Sequence, residues 1–245
     1  MITDGFIDIH IHAIPDVDDG AANMRMALGM LELSRKEGIS SFICTPHYGE
    51  FGKAARPREY VDTQFDLLKK YAAEQFEDIK LYRGNELFFC RDIPKKLSDG
   101  KACTMNGTKF LLVEFEPEER ARDVYDDLSF LSDNGYVPIL AHAERNFDLA
   151  DNTKYVSKLI ENGVLLQVNS VSLMIERVRP FKKLARFMIE KKYASFMSTD
   201  AHGDDYRVPF YRPAVEWLYK KFDEDYVDGL VYNNAARLLL NEADR

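Results

Sequence analysis

Seven short runs of apolar and β-branched residues, separated by segments of helical period, constrain this 245-residue chain more than any other feature. The runs are FIDIHI (6–11), SSFICT (40–45), IKLYRG (79–84), KFLLVEF (109–115), VPILAH (137–142), VLLQVN (164–169) and ASFMST (194–199). Between them, MRMALGMLELSRKEG (24–38) and DVYDDLSFLSDNG (123–135) space their apolar residues along one helix face and end in glycine, which suits a helix C-terminus. Strands apolar on both faces that alternate with helices predict an α/β protein. Its parallel sheet is covered by helices and is either doubly wound or closed into a barrel. No Pro-, Gly- or Ser-rich linker divides the chain, so one domain over 1–245 is expected, with residues 211–240 supplying two closing helices.

All five histidines fall at the carboxyl ends of these runs: His10 and His12 at the first, His47 past the second, His142 closing the fifth, His202 past the seventh. Loops at that edge of a parallel α/β sheet converge on one mouth, where ligands and catalytic groups gather. Glu86, Glu114 and Asp200 follow the same rule. His10 and His12, two residues apart on a strand, point the same way. An acid inside an apolar strand, such as Glu114 in LLVEF, is costly to bury without a cation or a hydrogen-bond donor. A cluster of divalent metal accounts for both oddities. Its nitrogen and oxygen donors, without sulfur, suit manganese, iron or zinc. The adjoining DVDDG (16–20) offers Asp16, Asp18 and Asp19 as further donors, and the residues alone do not choose among them.

A net charge of -8 with no block of Lys and Arg argues against binding a nucleic-acid backbone. Cys44, Cys90 and Cys103 show no CxxC spacing, and none begins the Cys-x5-Arg loop of a thiolate phosphatase. A disulfide framework and a cysteine nucleophile are therefore both unexpected. No basic segment followed by an apolar stretch opens the sequence, and no run of 18 apolar residues occurs in it, so a cytoplasmic chain without membrane insertion is expected.

The motifs DIHIHAIPDVDDG, CTPHYG, GNELFF, LLVEF, LAHAERN, LQVNSVSL and STDAHGDDYR, in this order between residues 6 and 241, resemble the polymerase and histidinol phosphatase (PHP) superfamily. Within it the chain is most similar to the bacterial manganese-dependent protein-tyrosine phosphatases of capsule and exopolysaccharide operons. The resemblance implies a distorted (β/α)7 TIM-like barrel holding three divalent ions. It assigns one ion to His10, His12, Glu86 and Asp200. Glu86 bridges to a second, shared with Glu114 and His142, and a third falls to Asp19, His47 and His202. The two arginines that bind phosphate in that family correspond to Arg145 and Arg207. The chain departs from the family at Asn146, where an aromatic residue is frequent, and at NNAAR, where the family has NP.

Three divalent ions against Asp19, Glu86, Glu114 and Asp200 leave the cluster net positive, which suits an anion. A metal-bridging hydroxide can then attack phosphorus in line while guanidinium groups meet the phosphoryl oxygens. The first expectation is a phosphotyrosine-protein phosphatase acting on a bacterial tyrosine kinase that controls polysaccharide export. The second is a small-molecule phosphatase of histidinol-phosphate type. The third is a metal-stabilised regulator without turnover. Retention of the nine candidate ligands and both arginines disfavours the third. Asp19 and Glu114, where metabolic relatives often carry histidine, favour the first. A homo-oligomer is compatible with all three.

Overall fold

The computed structural model describes residues 5–49, 56–175 and 179–239. Nine strands form among the described residues: β1 Phe6–Ile11, β2 Ile39–Cys44, β3 His47–Tyr48, β4 Lys80–Arg83, β5 Glu86–Phe88, β6 Phe110–Glu114, β7 Val137–Leu140, β8 Leu165–Asn169 and β9 Ala194–Ser198. Seven overlap the expected runs, and β3 and β5 are additional short strands just beyond the second and third. Pro46 has no N–H for a ladder and interrupts β2 from β3; its carbonyl accepts instead from Glu86 N at 3.1 Å and Asn85 Nδ2 at 3.1 Å. Gly84 interrupts β4 from β5 where the chains crowd: a Cβ there would come within 2.8 Å of Ile43 Cγ2.

Every strand pair is parallel, in the orders β1-β2-β4 and β3-β5-β6-β7-β8-β9. The free edges of β1 and β9 meet at a parallel bridge between Ile11 and Ala201. Asp200 N donates to His10 O at 2.9 Å and His12 N to Ala201 O at 3.0 Å. Of the two arrangements the sequence left open, the strands therefore follow the barrel. Helices pack around it. Met24–Lys36 begins at the capping side chain of Asn23, which accepts from Met26 N, and buries Ala27, Met30 and Leu31. Ala121–Asp133 does the same with Val124, Leu128 and Leu131. The closing segment forms Arg212–Tyr219 and a second helical stretch from Glu224 to Leu239 with a π turn at Gly229–Asn233.

The position of the site follows from one irregularity in β1. Ile7 and Ile9 join Ile43, Leu112, Ile139 and Phe196 in a small cluster fed by five strands, whereas Ile11 belongs to the larger core beneath the helices. A register shift between Asp8 and Ile11 produces the exchange, as a bulge does when it re-aims side chains. His10 and His12 thereby take over the inward side above Ile7 and Ile9. On β6, Glu114 stands two residues beyond Leu112, on the same face. The small apolar cluster is the floor of the site.

Candidate metal centre

The nine sequence-derived ligand candidates converge at this end of the barrel. His10 Nε2 and His12 Nε2 lie 3.2 Å apart. Glu86 Oε2 lies 3.1 Å from His10 Nε2, 3.2 Å from His12 Nε2 and 3.1 Å from His47 Nδ1. His142 Nε2 faces Glu86 Oε1 at 2.8 Å, and His47 Nδ1 faces Glu114 Oε1 at 2.8 Å. Asp200 Oδ1 stands 3.5 Å from His10 Nε2, and Asp19 Oδ1 lies 3.4 Å from His47 Nε2 and 3.3 Å from His202 Nε2. His47 and His142 are thus on the same rim as the others.

Hydrogen bonds behind the rings decide which nitrogens face the centre. Gln167 accepts at Oε1 from His142 N at 2.7 Å, so the ring nitrogen 3.1 Å from that oxygen, His10 Nδ1, is a donor. His12 Nδ1 donates to Asp18 Oδ2 at 2.7 Å, and His202 Nδ1 to Asp200 O at 3.0 Å. All three imidazoles therefore turn Nε2 inward. Two such lone pairs 3.2 Å apart repel unless a cation or a proton lies between them. Donors about 2.1 Å from one ion, at tetrahedral to octahedral angles, are separated by about 3.0–3.4 Å, which is the spacing found. Glu86 Oε2 and His202 Nε2 are buried without a hydrogen-bond partner. These residues fit a divalent metal centre.

Four groups bring one donor atom from each member within 4.8 Å of one another: His12, Asp19, His47 and His202; His10, Glu86 and His142; His10, His12 and Asp200; and His47, Glu86 and Glu114. His10, His12, His47 and Glu86 each belong to two of these groups, so the groups overlap rather than divide into separate sets.

Burial disfavours charge on His12, but Asp18 and Glu86 outweigh it and push this imidazole up to about 9. Against the same opposition, Asp19, Glu114 and Glu86 push His47 up to about 12. Burial would protonate Glu86, yet His10, His12 and His142 hold it well below the usual carboxylate range. Asp200 is held low in the same way by Arg145, His10 and Arg207. For Glu114 burial prevails and, with Glu86 beside it, raises the carboxyl.

Both candidate phosphate-binding arginines meet Asp200. Arg145, at the end of the short turn Ala143–Arg145, places Nη2 2.7 Å from Asp200 Oδ2, and Arg207 Nη2 lies 3.0 Å from the same atom. His142, Asp200 and Arg207 all adopt left-handed backbone, with φ of 30°, 51° and 49°. Non-glycine residues in that region are uncommon and concentrate where a site dictates the backbone. The cavity in front of the arginines has a volume of about 230 Å³. His142, Glu86, Arg145 and Arg207 line it together with the apolar side chains of Phe115 and Pro117.

Of the three loop acids, Asp19 points at the cluster, Asp18 stands behind His12 and also accepts from His47 N at 3.0 Å, and Asp16 turns outward to Tyr60 Oη at 2.5 Å. Asn169, the last residue of β8, is fully buried and donates to Asp200 Oδ2 at 2.9 Å. Glu144 accepts from Asn169 N at 3.2 Å and supports Arg145 through its charge. Asn146, where the chain departs from the family, caps the helix Phe147–Asp151 by accepting from Leu149 N. Sequence reasoning missed Gln167 and Asp8. Asp8 is buried and accepts from His10 N, Thr199 N and Thr199 Oγ1, pinning the ends of β1 and β9 together. Both are polar residues inside apolar strands, the same signal that singled out Glu114.

The sequence matches the family CpsB/CapC, capsular polysaccharide synthesis, over residues 6–240. It is 30% identical over 240 residues to the tyrosine-protein phosphatase CpsB of Streptococcus agalactiae, covering 96% of this chain and 98% of that protein. It is 28% identical over 236 residues to the tyrosine-protein phosphatase YwqE of Bacillus subtilis, covering 96% and 92% of the two chains. A solved structure from work on YwqE of Bacillus subtilis and CpsB of Streptococcus pneumoniae, described as unique metal-dependent tyrosine phosphatases, superposes with a TM-score of 0.87 at 28% identity over 95% of this chain and 94% of that one. A zinc-containing histidinol phosphate phosphatase of Lactococcus lactis shares the fold alone, with a TM-score of 0.52 at 13% identity over 96% of this chain and 92% of that one. The chain belongs to the CpsB/CapC family of capsular polysaccharide synthesis.

Proposed function

We propose that this chain is a metal-dependent protein-tyrosine phosphatase, a phosphoric monoester hydrolase formed by one domain over the whole sequence. The observation that carries the reading is the inward-facing pair His10 Nε2 and His12 Nε2, 3.2 Å apart, beneath two arginines that converge on a single carboxylate oxygen. The relatives named tyrosine-protein phosphatase support the substrate class. His10, His12, Glu86 and Asp200 hold one ion; Glu86, Glu114 and His142 a second; Asp19, His47 and His202 a third. Manganese is the first choice of metal, and the same donors accept iron or zinc. When bound, the ions act as Lewis acids that acidify a water near neutral pH for attack on phosphorus.

The remaining work falls to side chains. Arg145 and Arg207 bind the phosphoryl oxygens through paired N–H donors and hold the phosphorus in line with the attacking water. Their charge meets the negative charge as it redistributes during transfer. Phe115 and Pro117 offer the phenyl ring of the substrate an apolar wall at the cavity mouth. The protein partner is a bacterial tyrosine kinase of capsule or exopolysaccharide synthesis, met in the cytoplasm. No helix among the described residues is long and apolar enough to cross a membrane.

Phosphate release from a phosphotyrosine peptide, a phosphoserine peptide and histidinol phosphate, measured side by side with manganese present, tests the substrate class. Preference for the phosphotyrosine peptide is expected. Preference for histidinol phosphate would favour the small-molecule reading instead.

A further inference from the structure

Gln167 and Asn169 stand two residues apart on β8, both fully buried, with their side chains on the same face of the strand beneath the metal centre. Their hydrogen bonds run in only one possible sense. The backbone N–H of His142 can only donate, so the Gln167 atom 2.7 Å from it is Oε1, and this oxygen also takes the proton of His10 Nδ1 at 3.1 Å. Gln167 Nε2 is thereby turned to Asn169 Oδ1 at 2.8 Å. Asn169 in turn presents Nδ2 to Asp200 Oδ2 at 2.9 Å. Neither amide lines the cavity. The amide accepts from two groups at Oε1 and donates to a third at Nε2, whereas a carboxylate in its place could accept but could not donate onward to Asn169 Oδ1.

We propose that Gln167 and Asn169 form a positioning relay that fixes three of the metal donors at once. It keeps the His10 proton on Nδ1 so that Nε2 is free, it anchors the strained backbone of His142, and it orients Asp200 toward His10. The relay touches no group of the set Asp19, His47 and His202, so it acts on part of the centre and leaves the rest alone. The inference rests on the metal reading above and extends it to two residues that bind neither metal nor substrate. Partners of this kind fix the tautomer and orientation of ligating histidines, and their loss weakens metal binding by about 10–100-fold.

The test titrates zinc, a diamagnetic probe, into metal-free wild type and the variants Q167M, Q167E and N169L, with calorimetry and bound zinc per chain as readouts. Q167M keeps the length of the side chain and removes the acceptor. It is expected to bind part of its zinc about 10–100-fold more weakly while at least one zinc per chain is retained with wild-type affinity. Q167E still accepts from His10 Nδ1 and His142 N but cannot donate to Asn169 Oδ1, so it should recover part of the loss. In nitrogen-15 histidine spectra of the zinc-loaded protein, a hydrogen-bonded Nδ1 proton on His10 should be present in wild type and Q167E and absent in Q167M. Wild-type zinc binding by Q167M, an even loss at every site, or failure of Q167E to recover would overturn the relay. If Q167M does not fold, N169L carries the test, since Gln167 keeps its bonds to His10 and His142 while its Nε2 loses Asn169 Oδ1 and Asp200 Oδ2 loses one donor beside the two arginines; unchanged zinc binding there would also overturn it. Wild-type protein that takes up no zinc contradicts the metal reading together with the relay, whereas normal wild-type uptake with an unaffected Q167M contradicts the relay alone.

Discussion

Arg145 places Nη2 2.7 Å from Oδ2 of Asp200, the residue proposed above as a metal donor. Arg207 reaches the same oxygen at 3.0 Å, so the metal donors and the anion-binding groups share one hinge point. Neither arginine can ligate a metal, and their contribution to the reaction is electrostatic. Arg145→Ala and Arg207→Ala are each expected to keep metal content and fold while lowering turnover by about 10²-fold or more, the scale of losing one preorganised oxyanion donor. Lys at either position should restore only part of the rate, because a point charge lacks the guanidinium fork. Steady-state kinetics with metal analysis on the same samples checks both statements, and near wild-type turnover in both variants would leave the metals as the only anion site.

Metal uptake should release protons. His12 and His47 are pushed up to about 9 and about 12 in the metal-free protein, so both are imidazolium at pH 7 and must lose a proton before they can ligate. Calorimetric titrations at pH 7 in buffers of different ionisation heat are expected to show net proton release on metal loading. The sign of the pH dependence follows: raised imidazole values mean that protons compete harder as pH falls. Apparent metal affinity should therefore rise from pH 6 to pH 9. An affinity independent of pH over that range would contradict the protonated metal-free cluster.

Thiol alkylation should leave the activity intact. Cys44 is buried, and burial pushes its thiol well above the ordinary range. Burial likewise pushes Cys103 up to about 11, and raises Cys90. A raised thiol value means less thiolate at neutral pH, hence slow alkylation and no ready nucleophile. Activity measured after iodoacetamide treatment, with metals still bound, should match the untreated enzyme; its loss would point to a cysteine in the chemistry.

Asp18 and Asp16 make a matched pair of controls. Asp18 accepts from His12 Nδ1 at 2.7 Å and turns Nε2 of that ring inward, whereas Asp16 faces outward toward Tyr60. Asp18→Asn is expected to weaken manganese binding by about 10–100-fold, and Asp16→Asn to leave it unchanged. Equal effects in the two variants would remove the orienting role of Asp18.

Much of this architecture was legible in the residues because the two signals involved are local. Short apolar, β-branched runs located seven strand positions, and five histidines at their carboxyl ends located the mouth. What escaped depends on contacts distant in sequence. Pro46 and Gly84 break two strands only because their neighbours pack as they do. DVDDG could not declare that Asp19 faces His47 and His202 while Asp18 braces His12, since three acids within four residues look alike until the loop is folded. Asn169 carries no local mark of its role, which comes from Asp200, 31 residues away in sequence.

The central claim is that the inward-facing histidines and acids hold divalent metal without which phosphotyrosine is not hydrolysed. Chelator-stripped protein, assayed on a phosphotyrosine peptide before and after manganese is added back, with bound metal counted on the same sample, tests it most directly. The account predicts negligible turnover in the stripped protein and recovery that tracks manganese occupancy. Full turnover by protein shown to contain no metal would contradict it.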